Sequence, residues 1–299
     1  MDVAITGASG LIGRALSTSL RADGHRVLRF RRGGVTEGDT IGWDPDAGRI
    51  DVPALEGIDA VVHLAGEGIG ARRWTDEQKR RIRDSRVRGT AVLAAAVASR
   101  ERKPRVLVSA SAIGYYGDGG SDVLTEESAP GDDFLAQVCV AWEAEAAPAT
   151  EAGVRTVFSR SGIVLDAHGG ALEQMLLPFK LGIGGRQGSG KQWMSWIALI
   201  DEVGAIRFAI ENEGLSGPTN LVAPNPVTNA EFASTLGRVL HRPAVLPTPL
   251  LPLKLRFGAE LVETLLMVSQ RVAPAQLQAA GYQFHFESLE AALSAVVRT

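Results

Sequence analysis

The stretch TGASGLIG, residues 6 to 13, constrains this chain more than any other. An apolar run, VAIT, leads into it, and Leu11, Ala15, Leu16 and Leu20 follow at helical spacing. Gly7, Gly10 and Gly13 therefore fall in the turn from a first strand to a first helix. Such a turn needs residues without Cβ where backbone approaches backbone. The helix start beyond it offers unpaired N–H groups and the positive end of a dipole to an anion. A glycine triplet alone says little. Between an apolar strand and an amphipathic helix it reads as a dinucleotide-binding turn.

The pattern continues. RVLRF (26–30), AVVHLAG (60–66), RVLVSAS (105–111) and RTVFSRSGIVL (155–165) read as further strands. Strands that are almost wholly apolar, separated by helical stretches, imply a parallel sheet covered on both faces. Residues 75–100 read as one long helix that opens on a capping box of Thr75 and Gln78. Its narrow face contains Ile82, Arg86, Gly89 and Leu93. Beyond residue 165 come a short helix, a glycine-rich loop, a strand and turn, and a helical pattern broken at Pro274. The expected architecture is α/β. A Rossmann-type doubly wound parallel sheet spans 1–165, with a smaller, mainly helical substrate-side domain over 166–299. A strand near 219–223 is expected to return to the main sheet.

With 45% hydrophobic residues among 299, the chain can bury a large core. A net charge of −3 gives no support for a nucleic-acid partner. No apolar run approaches the roughly 20 residues that cross a bilayer, so no membrane partner is expected. The amino terminus enters a strand at once without a leader pattern, which points to the cytoplasm. The single cysteine, Cys139, excludes an intramolecular disulfide and a cysteine-based metal cluster, and no metal site is expected. The expected partner is a small molecule; oligomeric state is left open.

The end of the second strand bears on which dinucleotide is held. An acid there binds the ribose 2′-hydroxyl, whereas an arginine accommodates a 2′-phosphate. Here Arg31 and Arg32 occupy that end, and guanidinium forks suit phosphate. The expected cofactor is NADP(H), held by Gly7, Ser9, Gly10, Leu11, Ile12, Gly13, Arg31 and Arg32.

HLAG (63–66) and SASAIGYYG (109–117), added to the glycine turn, make the chain resemble the extended short-chain dehydrogenase/reductase superfamily. AGEGI, RRWT, SRSGIVL, GSGKQWMSWIALID, NLVAPNPVTNAEF and SQRVAPAQLQAAGYQF narrow the resemblance to an epimerase-like family in its atypical branch. Those proteins are labelled nucleotide-sugar epimerases and sometimes carry a legacy label of cell-division inhibitor. The resemblance runs over essentially the whole chain. It implies that Leu64, Ala65 and Gly66 lie along the cofactor, with Arg86 in contact with it and Gly162 beside the nicotinamide. Glu67, just after HLAG, is a candidate acid or polar anchor near the cofactor, and Ser109 is a further candidate cofactor residue. It also implies that Ser111 is the catalytic serine and that Tyr116 stands near the substrate oxygen, with Tyr115 beside it. Arg186 and Lys191, in the glycine-rich loop, are candidates for a substrate phosphate or carboxylate.

At one point the sequence departs from that superfamily. Its usual chemistry passes a proton through a tyrosine whose pKa is lowered by a lysine one helical turn on. The three tyrosines here, Tyr115, Tyr116 and Tyr282, are followed four residues later by Gly119, Gly120 and Phe286. No Tyr-x-x-x-Lys pair exists. In the helix DFLAQVCVAWEAEA, Leu135 and Cys139 stand at the two positions, and Cys139 reads as a core residue. His168 reads as a solvated loop residue and Asp201 as a structural cap. Ala198 stands where related sequences have a histidine. Two functional readings follow. One is an oxidoreductase or epimerase-like enzyme in which Ser111 and Tyr116 polarise a substrate oxygen. The other is an NADP(H)-binding sensor or regulatory protein without turnover.

Overall fold

The computed structural model describes residues 1–70 and 72–298. Its main sheet has eight strands: β1 (Asp2–Thr6), β2 (Arg26–Arg32), β3 (Thr40–Asp44), β4 (Arg49–Ile50), β5 (Ala60–His63), β6 (Val106–Ala112), β7 (Arg155–Ser161) and β8 (Gly217–Leu221). Their spatial order is β8-β7-β6-β5-β1-β2-β3-β4, and every neighbouring pair is parallel except the edge pair β3–β4. This is the doubly wound sheet expected from the alternating apolar strands.

Side chains alternate across each strand, so the sheet divides its residues between two cores. Val3 and Ile5 of β1 join Val108, Val157 and Leu221 in a cluster covered by α1 (Leu11–Ala22) and α6 (Leu199–Glu211). Ala4, Val61 and Leu107 join the opposite cluster, under α2 (Asp76–Ala98) and α4 (Ala147–Glu151). Each Val, Leu or Ile wholly removed from water contributes about 1.5–3 kcal/mol.

Strand β8 pairs in parallel with β7 from Gly217↔Val157 to Leu221↔Ser161. Helix α6, which leads into that strand, lies on the first core through Val203, Ile206 and Ile210. The remaining C-terminal part packs α5 (Gly170–Lys180), α7 (Asn229–Val239) and the helix Leu289–Arg298 around Phe179, Trp196, Phe232 and Leu293. Asp201 is wholly buried, but it does not cap its own helix. Its carboxylate accepts from the backbone N–H of His285 at 2.6 Å and of Phe286 at 3.0 Å, tying the C-terminal segment to α6.

Two local expectations change. Strands β3 and β4 are absent from the apolar runs, because TIGWD is short and holds a glycine. Gly42 is required there, since a Cβ would lie 2.3 Å from the Gly34 carbonyl oxygen. Thr75 does cap α2, accepting from Gln78 N at 3.2 Å, but the Gln78 amide turns to Glu67 Oε1 at 3.4 Å and leaves the box half made. No described helix is long and apolar enough to cross a membrane. No cluster of three or more potential metal ligands occurs among the described residues.

Candidate active site

Strand β1 has β2 on one side and β5 on the other, so the crevice outside its carboxyl end is the switch point of the sheet, where such folds bind ligands. Gly7 has φ 65°, and a Cβ on it would come within 2.8 Å of the Leu64 carbonyl. A Cβ on Gly13 would lie 2.3 Å from Gly7 O. These two glycines let the turn approach β5 and let α1 approach the turn. Gly10 is the N-cap of α1 and is exposed. No side chain caps the helix there, and its first turn has no acid. The N–H groups of Leu11, Ile12 and Gly13 thus begin a helix with its anion-accepting end uncovered, next to exposed Ser9. Arg14, which the sequence reading did not single out, donates to Ser9 O at 2.8 Å. The cradle fits a dinucleotide pyrophosphate.

The next loop is anchored on β1. Thr6 Oγ1 accepts from the N–H groups of Leu64 at 3.0 Å and Ala65 at 3.1 Å. Its own proton then goes to His63 Nδ1 at 2.7 Å, which leaves the ring proton on Nε2, a tautomer assigned from the hydrogen-bond pattern. Burial, and then the charge of Arg86, push His63 down to about 4, so the ring is neutral. Arg86 is buried rather than solvated. Its Nη1 donates to Glu67 O and Ile82 O, each at 3.0 Å, and its guanidinium lies 5.0 Å from the Trp142 ring. A Cβ on Gly66 would be 3.2 Å from Arg86 Cζ, so this arginine supports the underside of residues 64–67. Arg31 and Arg32 are exposed at the end of β2. Arg32 stands 3.9 Å from Asp46, and Arg31 has no ion pair or side-chain hydrogen bond among the described residues.

The other end of the crevice is built from side chains. Ser111 on β6 is in register with Arg160 on β7. Both reach Glu143 on α3 (Phe134–Ala144). Ser111 Oγ donates to Glu143 Oε1 at 2.6 Å, while Arg160 Nε and Nη2 donate to Oε1 and Oε2, each at 2.8 Å. Arg160 Nη1 donates to the Tyr116 hydroxyl at 3.0 Å, and that hydroxyl donates to Asn220 Oδ1 at 2.7 Å. Arg160 is only 2% exposed, as charge-assisted pairing in a fork geometry allows. Burial works against its charge, yet the Glu143 carboxylate raises its pKa on balance.

Leu135, Cys139 and Glu143 follow one another at single-turn spacing along α3. Leu135 packs with Trp74, Ile82 and Leu261. Cys139 donates to Ala112 O at 3.8 Å, and burial followed by the Glu143 charge pushes its thiol up to about 12. At the first two of these positions the helix presents a leucine and a thiol, and the carboxylate comes one turn later.

The two adjacent tyrosines differ. Tyr116 is 4% exposed, its oxygen committed to Arg160 and Asn220, and burial raises its pKa. Tyr115 is half-buried, its ring centroid 3.4 Å from Arg160 Cζ. Its hydroxyl has no partner among the described residues. Ser109 is wholly buried and in register with His63. Gly162 is needed for packing, since a Cβ would lie 2.7 Å from both Ser195 O and Val222 Cγ1. Beside it, Ser161 donates to Glu202 Oε1 at 2.6 Å, and burial pushes that carboxyl up to about 8. Arg186 and Lys191 stand exposed on their own loop, where Arg186 Nη1 donates to Gly188 O, and no described contact joins them to Ser111.

Glu143, Arg160 and Asn220 are the site residues that sequence reasoning missed. Arg160 did leave a signal, a charge inside a run otherwise read as a buried strand. Glu143 left a weaker one, its place a turn beyond Cys139 on the same helix.

A glycine turn at the switch point of a doubly wound sheet, with a serine at the end of β6 facing α3, defines a dinucleotide-binding protein of the extended short-chain dehydrogenase/reductase type. Known proteins narrow this. The NAD dependent epimerase/dehydratase family matches residues 3–222, and a domain of unknown function (DUF1731) matches residues 248–296. An epimerase family protein of Mycobacterium bovis is 46% identical, the match covering 97% of this chain and 96% of that protein. One from Bacillus subtilis is 37% identical, covering 99% and 98%. The crystal structure of human epimerase family protein SDR39U1 with NADPH superposes with a TM-score of 0.90 at 36% identity, covering 100% of both chains. A nucleoside-diphosphate sugar epimerase from Corynebacterium glutamicum superposes at 0.82 with 38% identity, covering 99% of this chain and 58% of that one. The chain belongs to the NAD dependent epimerase/dehydratase family.

Proposed function

We propose that this protein is a cytoplasmic NADP(H)-dependent oxidoreductase or epimerase-like enzyme acting on a small alcohol or carbonyl compound, with Ser111 and Glu143 serving where the tyrosine–lysine dyad is missing. The observation that carries the reading is the 2.6 Å hydrogen bond from Ser111 Oγ to a carboxylate clamped by Arg160. The choice of NADP(H) rests on the unpaired Arg31 at the end of β2, and a human relative of 36% identity was crystallised with NADPH.

When bound, the nicotinamide supplies or accepts a hydride. The residues of this chain manage the proton. Because the Ser111 proton is directed at Glu143, Ser111 Oγ presents lone pairs to a substrate hydroxyl. On oxidation the substrate proton passes to Ser111 Oγ as the serine proton passes to Glu143 Oε1. On reduction the two transfers reverse. Arg160 holds the carboxylate in place throughout. Tyr115, with its free hydroxyl, offers a second hydrogen bond to the substrate oxygen, a role that suits it better than the committed Tyr116.

One observation favours the reading of a sensor or regulatory protein: the hydroxyls of Ser111 and Tyr116 are both spent on internal partners. Two measurements separate the readings. NADPH and NADH affinities come first, by fluorescence titration, with NADPH expected to bind more tightly. The protein is then incubated with NADPH or NADP⁺ and panels of carbonyls, alcohols and nucleotide sugars. Consumption or formation of reduced cofactor, or a converted sugar, is the expected result. Tight NADPH binding without conversion of any compound would remove the enzyme reading and leave the regulatory one.

A further inference from the structure

Residues 174–200 and 232–259 contain no aspartate or glutamate, in a chain that has 34 of them. The two stretches lie side by side. Arg242 Nε donates to Lys180 O at 3.0 Å, and Thr248 donates through N to Arg186 O at 2.8 Å and through Oγ1 to Gly185 O at 3.0 Å. On this joint surface Lys180, Arg186, Lys191, Arg242 and Arg256 are exposed.

The same surface gathers most of the large hydrophobic side chains that the described residues expose. On the first stretch Leu177 and Leu181 are each 65% exposed and Ile183 62%. On the second, Val245 is 82% exposed, Leu246 62%, Leu251 68% and Leu255 70%. Of the other four exposed cases, Val35, Val123 and Val140 lie in other parts of the chain, and Ile200 stands at the end of the first stretch, on α6. Helix α8 (Leu250–Phe257) has no buried residue, and Leu251 and Leu255 share a face one turn apart. Apolar side chains gathered in this way mark a surface that meets something other than water.

The charge decides what that is. The acids at the rim of this face, Glu263 and Glu290, already pair with Lys254 and Arg238. A second copy of the same face would therefore oppose Lys180, Arg186, Lys191, Arg242 and Arg256, none of them in an ion pair among the described residues, to the same cations. The complementary partner is apolar at depth and negative at its surface, as an anionic bilayer is. We propose that α8, with loops 181–183 and 245–246, seats this protein on an anionic lipid surface. The lack of a spanning helix, on which the expectation of no membrane partner rested, does not bear on a short helix lying in the interface plane. The placement has a consequence for the active site. Phe257, at the end of α8, packs against the cluster of Trp74, Leu135 and Leu261, so the docked face adjoins the flank of α3.

The test is co-sedimentation of the full chain with vesicles of equal phosphatidylcholine and phosphatidylglycerol, or of phosphatidylcholine alone. The protein should pellet with the mixed vesicles, much less with the neutral ones, and less as salt rises. Leu251→Asp with Leu255→Asp should weaken binding roughly tenfold or more, whereas Val35→Asp should not. Because α8 buries no residue, the variants should keep the wild-type melting temperature and NADPH affinity. Failure of the wild type to pellet, or equal pelleting of the doubly substituted chain, overturns the proposal. So does a concentration-dependent dimer that Leu251→Asp abolishes, which would make a second copy the occupant.

Discussion

At the carboxyl end of β1 the site is made of backbone: a glycine turn, an uncapped helix start, and a loop held by one threonine hydroxyl. At the carboxyl ends of β6 and β7 it is made of side chains, with Ser111, Glu143, Arg160, Tyr116 and Asn220 joined in a buried hydrogen-bonded line. The backbone end depends on where the chain runs, so side chains around it can vary while it still holds a dinucleotide. The side-chain end depends on each member having its partner, because a buried charge without one is costly. A substitution on α3 therefore leaves the first end intact and disturbs the second.

The largest effect expected on breaking this contrast is at the ion pair. Arg160→Met or Glu143→Leu alone should cost about 3–5 kcal/mol in chemical denaturation, because each strands a buried charge. The double substitution should recover most of that loss. Additive losses would show that the two side chains are not a unit.

Next come the glycines. Gly7→Ala and Gly13→Ala should each cost about 1–3 kcal/mol of stability, through positive φ at Gly7 and overpacking at both. Gly10→Ala meets only the Gly7 carbonyl oxygen, at 3.2 Å, and should cost less stability while weakening NADPH binding. Equal destabilisation at all three would mean that the turn is purely a packing device.

Arg31→Ala should lower NADPH affinity by roughly tenfold to a hundredfold and leave NADH affinity unchanged, as loss of a charge-assisted phosphate contact implies. If both affinities fall together, Arg31 is supporting β2 rather than reading the phosphate.

The remaining effects are read across pH. His63 is held near 4 against an ordinary 6.5, so the unfolded chain takes up a proton that the folded one refuses. Its contribution to stability is present above 6.5 and is lost as pH falls toward 4. Glu202 is the reverse, raised from 4.5 to about 8. Its contribution is complete below 4.5 and is lost as pH rises toward 8. Denaturation across this range should show both limbs, and Glu202→Gln should flatten the alkaline one.

The backbone end was legible in the sequence because its signals are local. A glycine triplet, the apolar run before it and the helical spacing after it sit within a few residues. The side-chain end was legible only in part. Ser111 and the two tyrosines stand in a contiguous motif, but the link from Ser111 to Arg160 exists through the register of β6 and β7, and the link to Glu143 through the seating of α3. Neither register nor seating is written in a single segment. For the same reason Tyr115 and Tyr116 could not be told apart until strand and helix fixed which one turns inward. Strands β3 and β4 escaped for a different cause, since edge strands this short, with a glycine among five residues, show no run of apolar residues.

The most direct test measures NADPH affinity and reduced-cofactor consumption together, on the best substrate of the panel, in the wild type, Ser111→Ala and Glu143→Gln. Both variants should bind NADPH as the wild type does while their turnover falls by about a hundredfold or more, the scale of a lost positioned acid–base group. Undiminished turnover in either variant would contradict a proton path through Ser111 and Glu143.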